Sequence, residues 1–130
     1  MRLQLALNVR NLDEAVAYYS RLFGVEPHKR RSGYANFAID RPPLKLVLFE
    51  NPNAAERLNH LGVEVLDKTK LDEAVSRLQS AGLAAGERTT GVCCHAEQDK
   101  LWSVAPDGER WEWYRIVDDM PEPTRTACCA

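Results

Sequence analysis

The chain has 130 residues, a formal net charge of −2, 45% hydrophobic residues and 28% charged residues. These values are typical of one soluble globular domain, and the small net charge gives no sign of a nucleic-acid partner. The longest apolar runs, such as Leu46–Phe49, are far shorter than the roughly 20 residues of a membrane helix. The N-terminus also lacks the continuous apolar segment of a signal peptide. We therefore expect a cytoplasmic protein with no membrane partner.

A five-residue motif, LDEAV, occurs twice and organises the chain. The first copy, Leu12–Val16, follows the strand-like segment Leu3–Val9, and the second copy, Leu71–Val75, follows His60–Val65. Apolar residues recur at three- and four-residue spacing through both copies, which predicts two amphipathic helices. An internal repeat of this kind indicates two similar structural units.

Both predicted helices carry local start signals. Asn11 can cap the first helix, and Glu14 can complete a capping box with it. Thr69 with Asp72 is predicted to cap the second helix in a similar way. Small residues follow each helix, beginning with Gly24 in the first half, and they predict where the helices end.

The strand candidates that follow the helices are short apolar or alternating segments: Tyr34–Ile39, Leu44–Phe49, Val92–Glu97, Leu101–Ala105 and Arg110–Ile116. Pro106–Glu109 (PDGE) predicts a hairpin turn between the last two. Alternation in the final strand puts Glu112 and Tyr114 on one face and the tryptophans on the other.

These elements predict an α+β fold in which two βαβββ modules form a curved mixed sheet around a metal cleft. The first module is expected to span residues 1–50 and the second residues 60–116. Residues 51–59 are a linker, and residues 117–130 a flexible C-terminal tail. All of these segments belong to one domain.

Three residues in this arrangement are candidate metal ligands. Gln4 and His60 occupy matching places at the start of the first strand of each module, and Glu112 lies on the inward face of the last strand. An imidazole, an amide oxygen and a carboxylate suit a hard or borderline metal ion with open coordination positions. The alternatives are a hydrogen-bonded structural histidine and a solvated glutamate. Glu50 is either a weak fourth ligand or a surface residue.

The four cysteines form two adjacent pairs, Cys93–Cys94 and Cys128–Cys129. Neighbouring Cα atoms lie about 3.8 Å apart, closer than the roughly 4.4–6.8 Å of disulfides, so a bridge within a pair is strained. Adjacent thiols suit a soft metal or metalloid. Cys93 and Cys94 can reach one ion only from a loop or bulge, which Gly91 favours; otherwise one is buried and one exposed. His95 is either a third contact or an ordinary polar residue.

Several segments together are similar to a known group of proteins: QLAL at Gln4, YYSRLFG at Tyr18–Gly24, GYANFAI at Gly33–Ile39, PPLKLVL at Pro42–Leu48, LNHLGVEV at Leu58–Val65, CC at Cys93–Cys94, QDKLW at Gln98–Trp102 and PDGERWEWY at Pro106–Tyr114. The chain resembles the vicinal-oxygen-chelate superfamily, which includes glyoxalase I, fosfomycin resistance proteins and extradiol dioxygenases. Within it, the chain is most similar to the non-haem iron carbon–arsenic lyases and the cadmium-induced proteins of actinobacteria.

The resemblance implies a specific chemistry. Its metal ligands match Gln4, His60 and Glu112, and its arsenical-binding thiols match Cys93–Cys94. The implied reaction is Fe(II)- and O2-dependent cleavage of the carbon–arsenic bond of trivalent organoarsenicals, methyl or aromatic, which releases inorganic arsenite. Ni, Co or Zn are expected to substitute for iron in isolated protein, and both a monomer and a homodimer are compatible with the resemblance.

Lys100 and Tyr34 are further candidate pocket residues. Glyoxalase-like members typically carry His where this chain has Gln4, which argues against glyoxalase I activity and against thiol transfer to fosfomycin. The alternative to the lyase is a detoxification protein that binds cadmium or arsenite without turnover, and Cys128–Cys129 either help to capture such a species or have no role.

Overall fold

The computed structural model of this chain describes residues 1–93 and 95–119, which contain eight strands and two helices. The elements in chain order are β1 (Arg2–Val9), α1 (Leu12–Phe23), β2 (Lys29–Arg31), β3 (Tyr34–Ile39), β4 (Leu44–Glu50), β5 (Leu58–Glu64), α2 (Lys68–Ser80), β6 (Ala85–Cys93), β7 (Ala96–Val104) and β8 (Arg110–Asp118). The order β-α-β-β-β occurs twice, so the predicted α+β class with two such modules is confirmed.

The backbone divides into two compact units. The first unit is Arg2–Leu61, and the second unit runs from Gly62 onward and includes Met1. Strand β5 therefore begins in one unit and ends in the other. It starts at Leu58, inside the segment predicted as a linker. No helix in the described part of the chain is long and apolar enough to span a membrane.

In the first unit, β1 pairs in parallel with β4, and β4, β3 and β2 pair in antiparallel fashion, in the order β2-β3-β4-β1. Strands β3 and β4 are buried almost throughout, which explains their nearly continuous apolar sequences. Helix α1 packs Leu12 and Val16 against Phe37, Leu46 and Leu48. The three-residue strand β2 was absent from the predicted elements because so short a segment shows no periodicity.

The ends of α1 follow the sequence signals. The Asn11 side chain accepts a hydrogen bond from the Glu14 backbone N–H at 3.0 Å, and Gly24 adopts a left-handed conformation with φ of 67°. The predicted cap and stop are therefore confirmed. A second acceptor was not foreseen: Glu50 Oε2 receives the Leu12 backbone N–H at 2.8 Å. Glu50, expected to be either a weak fourth ligand or a surface residue, is exposed and completes the start of α1.

In the second unit, α2 begins earlier than predicted. Asp67 is the cap, with its side chain accepting from the Lys70 backbone N–H at 2.8 Å. The predicted cap at Thr69 with Asp72 is wrong because Thr69 already lies within the helix. The buried face of the helix packs Leu71 and its neighbours against the sheet in a cluster with Val65, Val75, Leu78 and Leu101.

Strands β6, β7 and β8 form an antiparallel sheet in the second unit. The predicted strand Val92–Glu97 is wrong, because β6 ends at Cys93, His95 lies in a turn with φ of 66°, and β7 starts at Ala96. Residues of β6 before Val92 are mostly polar, which concealed the strand. The hairpin at Pro106–Glu109 is confirmed by a backbone hydrogen bond from Ala105 N–H to the Glu109 carbonyl at 2.8 Å.

Candidate metal site

Two of the three predicted ligands meet in the first unit. Gln4 on β1 and His60 on β5 are each 3% exposed, and Gln4 Nε2 lies 3.1 Å from His60 Nε2. Both strands alternate between buried and partly exposed positions, and these residues occupy the buried phase. Period-two alternation thus turns both polar side chains inward.

The His60 ring is held by neighbours on both sides. Its Nδ1 lies 2.7 Å from Asn59 Oδ1. The Phe49 ring lies 6.4 Å from it between ring centroids, and the Tyr34 ring lies 5.6 Å from Phe49. Tyr34 is buried, and its hydroxyl accepts a hydrogen bond from Asn36 Nδ2 at 2.9 Å. The candidate pocket residue Tyr34 therefore belongs to the aromatic group that reaches His60.

Two asparagines near His60 were not predicted from the sequence. Asn59 Nδ2 donates to Asn8 Oδ1 at 3.1 Å, and Asn8 Nδ2 donates to the Glu56 backbone carbonyl at 3.1 Å. A signal for Asn8 was present, because it lies four residues after Gln4 on the same face of β1 and is a polar residue at a buried position. No local signal marked Asn59.

The third predicted ligand, Glu112, lies on β8 in the second unit. Its carboxylate is buried, and its Oε2 accepts a hydrogen bond from Lys100 Nζ at 2.7 Å; the two side chains are 4% and 3% exposed. The Lys100 ammonium also lies 5.5 Å from the centroid of the Trp102 ring and 5.9 Å from that of Tyr114. A buried carboxylate needs a compensating cation, which here is the candidate pocket residue Lys100.

An ion network that the sequence reading missed holds β6 to its neighbours. Arg88 donates to both carboxylate oxygens of Asp99, at 2.7 and 2.8 Å, and its Nη1 lies 2.7 Å from Asp72 Oδ1. These hydrogen bonds from Arg88 are the main reason that the pKa of Asp99 is lowered. The pKa of Asp72 is lowered first by its hydrogen bond from Lys68 and then by that from Arg88. The network joins β6, β7 and α2.

The predicted arsenical-binding thiols lie at the far end of β6. Cys93 is the last residue of the strand, with its backbone opposite Ala96. Gly91 pairs with Gln98, and a register shift lies earlier in the strand, between Ala85 and Thr89. The loop or bulge expected at Cys93–Cys94 stays a prediction. Cys94, Cys128 and Cys129 lie outside the described residues.

The donors fit a divalent metal ion in type. His60 offers an imidazole nitrogen beside the Gln4 amide, and a half-turn of that amide exchanges its nitrogen for its oxygen at little change in shape. Glu112 offers a buried carboxylate. Within residues 1–93 and 95–119, no three His, Cys, Asp or Glu side chains are grouped to hold a metal ion. The predicted set contains only two residues of those types.

Two surface cavities, one in each unit, are lined by residues other than the predicted ligands. One of about 580 Å³ in the first unit is lined by residues of β1 and α1 with Tyr18, Tyr19 and Arg57. Another of about 440 Å³ in the second unit is lined by Met1, α2 residues and Trp113. The cavity of the first unit includes Asn8, a buried polar residue that is hydrogen-bonded to Asn59.

The sequence of this chain is similar to those of known proteins. Residues 3–112 match the Glyoxalase/Bleomycin resistance protein/Dioxygenase superfamily. Cadmium-induced protein CadI of Mycobacterium tuberculosis (strain ATCC 25618 / H37Rv) is 53% identical over 118 residues, which cover 91% of this chain and 78% of that protein. The trivalent organoarsenical cleaving enzyme of Thermomonospora curvata is 48% identical over 132 residues, covering 98% and 87% respectively.

The fold itself has solved counterparts. The structure of the Mn(II)-bound glyoxalase from Novosphingobium aromaticivorans is similar with a TM-score of 0.62 and 18% sequence identity, over 97% of this chain and 41% of that one. At this level of identity the likeness identifies the fold alone.

Proposed function

Because the chain belongs to the Glyoxalase/Bleomycin resistance protein/Dioxygenase superfamily, we propose that it is a cytoplasmic enzyme that cleaves the carbon–arsenic bond of trivalent organoarsenicals. The reaction is Fe(II)- and O2-dependent and releases inorganic arsenite. The trivalent organoarsenical cleaving enzyme of Thermomonospora curvata is similar over nearly the whole chain. The observation that carries the proposal is the buried Gln4–His60 pair, since thiol sequestration alone would not need buried nitrogen and oxygen donors.

The proposed metal ligands are Gln4 and His60 of the first unit and Glu112 of the second. An Fe(II) ion bound by two neutral donors and one carboxylate would supply the redox chemistry that O2 needs, since the two unpaired electrons of O2 make its direct reaction with closed-shell substrates spin-forbidden. Lys100 compensates the charge of Glu112 in the metal-free chain. Phe49 packs beside the buried His60 ring, and Tyr34 packs against Phe49.

The proposed substrate site is the Cys93–Cys94 pair. As(III) binds the thiolate form of cysteine. Each of the two cysteines would displace one hydroxyl group of the arsenical, which leaves as water, and form one As–S bond. The reaction balances without an external reductant for the methyl substrate: methylarsonous acid and one O2 give arsenous acid and formaldehyde. Carbon then gives its electrons to O2 while arsenic remains trivalent.

A second candidate function is sequestration of cadmium or arsenite without turnover. The similarity to a cadmium-induced protein favours it, as do the two cysteine pairs. It differs from the lyase in requiring neither O2 nor the buried pair of Gln4 and His60. The two functions are therefore distinguished by the fate of the arsenical.

The test is arsenic speciation after anaerobic loading with Fe(II), addition of methylarsenite and then exposure to O2. We expect inorganic arsenite only when both Fe(II) and O2 are present. Cys93→Ser and Cys94→Ser should each abolish arsenical binding and leave the iron content unchanged, whereas the matched controls Cys128→Ser and Cys129→Ser should bind and cleave normally. Tight binding with unchanged speciation would instead establish sequestration, and cleavage retained in Cys93→Ser would remove the thiol pair from the site.

A further inference from the structure

The hydrogen bonds behind His60 run in one direction only, and their direction is set by a backbone group. The Glu56 carbonyl can only accept, so the group of Asn8 that lies 3.1 Å from it is the amide nitrogen. The Asn8 oxygen therefore faces Asn59 and accepts from Asn59 Nδ2 at 3.1 Å. That leaves the Asn59 oxygen facing His60 Nδ1 at 2.7 Å.

The last hydrogen bond of this series, between Asn59 and His60, decides which ring nitrogen of His60 carries the proton. An amide oxygen has no hydrogen to donate, so at 2.7 Å His60 Nδ1 must be the donor. A neutral imidazole with its proton on Nδ1 has a lone pair on Nε2. The other side of the ring agrees, because the Gln4 amide nitrogen lies 3.1 Å from Nε2 and can donate only to a lone pair.

Asn8 is itself held firmly. Its backbone N–H donates to the Arg57 carbonyl at 2.7 Å, and Arg57 Nη1 donates to the Asn8 carbonyl at 3.2 Å. Because backbone and side chain of Asn8 are fixed together against the same turn, the amide cannot rotate without losing the bond to Glu56. The four groups form a hydrogen-bond relay from His60 through Asn59 and Asn8 to the Glu56 carbonyl. Its direction is therefore set by the loop that precedes β5.

We propose that Asn8 and Asn59 are positioning residues that hold His60 in the Nδ1–H tautomer and so present the Nε2 lone pair for metal binding. The use of that lone pair rests on the proposed function, whereas the tautomer does not. Metal-binding histidines generally donate their second ring N–H to a neighbouring acceptor, and loss of that acceptor typically lowers metal affinity by roughly 10–100-fold.

The tautomer can be read directly by NMR of the full-length, metal-free chain labelled with 15N-histidine, with the His60 signals assigned by their loss in His60→Gln. Long-range proton–nitrogen correlations should show a protonated Nδ1 and an unprotonated Nε2. Asn59→Ala should shift the population toward Nε2–H, because the Gln4 amide can then turn its oxygen toward the ring. Asn59→Asp retains an acceptor and should restore Nδ1–H.

The matched control is Asn53→Ala, which changes an exposed asparagine in the same loop and should leave the His60 signals unchanged. A protonated Nε2 in the wild-type chain, or the same tautomer in Asn59→Ala as in the wild type, would overturn the relay. Titration with Co(II) then tests whether the Nε2 lone pair of His60 serves in metal binding. The affinity for Co(II) should fall roughly 10–100-fold in Asn59→Ala and remain at the wild-type level in Asn53→Ala. A correct tautomer in a chain that binds no metal would count against the proposed function and leave the relay standing.

Discussion

At the scale of single residues, the predicted ligands Gln4, His60 and Glu112 are all buried polar groups. Alternation along β1, β5 and β8 was enough to predict that Gln4, His60 and Glu112 face inward, because a period of two depends only on the local backbone. It could not predict Asn59 behind His60 or Lys100 beside Glu112. Those partners depend on which strands are neighbours, which no short stretch of sequence records.

The Lys100–Glu112 pair makes the clearest prediction about stability. Lys100→Met removes the cation from a carboxylate that is 4% exposed, and losing one partner of a buried pair costs about 3–5 kcal/mol. Urea denaturation at neutral pH should show a loss of this size. The control Lys68→Met breaks an exposed pair with Asp72 and should cause a much smaller loss, because solvent screens exposed ion pairs.

The double variant Lys100→Met/Glu112→Gln sharpens that test. It removes both charges, so it should be more stable than Lys100→Met alone. Equal losses for Lys100→Met and Lys68→Met would contradict the view that the buried pair compensates Glu112.

At the scale of elements, the sequence predicted a helix or strand correctly where the signal lies in adjacent residues, and incorrectly where the structure depends on contacts with distant residues. Helix α1 was predicted with its cap and its stop, because Asn11 and Gly24 act on adjacent backbone. The cap of α2 was misplaced, since several residues before it can cap and only packing selects Asp67. Most of strand β6 was not predicted because its residues before Val92 are mainly polar, and pairing with β7 together with Arg88 holds it in place.

The Arg88 network predicts how stability changes with pH. Because the folded chain lowers the pKa of Asp99 and of Asp72, their contribution is fully present above the unfolded pKa of about 3.9. It is lost as pH falls through that value toward the lower folded pKa. Asp72 and Asp99 should therefore not change the denaturation midpoint between about pH 7 and about pH 5. Below about pH 5 their protonation should lower the midpoint.

Arg88→Gln isolates the network, because it removes the main cause of the lowered pKa of Asp99. The variant should be less stable at neutral pH and lose less stability on acidification than the wild type. Parallel stability curves for the two proteins would show that Arg88 does not stabilise the ionised form of Asp99.

At the scale of the whole molecule, the repeated LDEAV motif was the most informative feature of the sequence. It predicted two βαβββ modules, and each half of the chain has that order. The repeat also supplied the reason to compare Gln4 with His60, which the first unit brings to 3.1 Å. The function depends on more than the fold, since the superfamily supports several reactions, and the proposed choice rests on the ligand set and the thiol pair.

The measurement that tests the central claim most directly compares His60→Ala with His28→Ala, a change at an exposed histidine, for bound iron and for arsenite released from methylarsenite in air. The account predicts that His60→Ala loses both iron and cleavage while still binding the arsenical through its thiols, and that His28→Ala retains all three properties. Wild-type iron content and arsenite release in His60→Ala would contradict it.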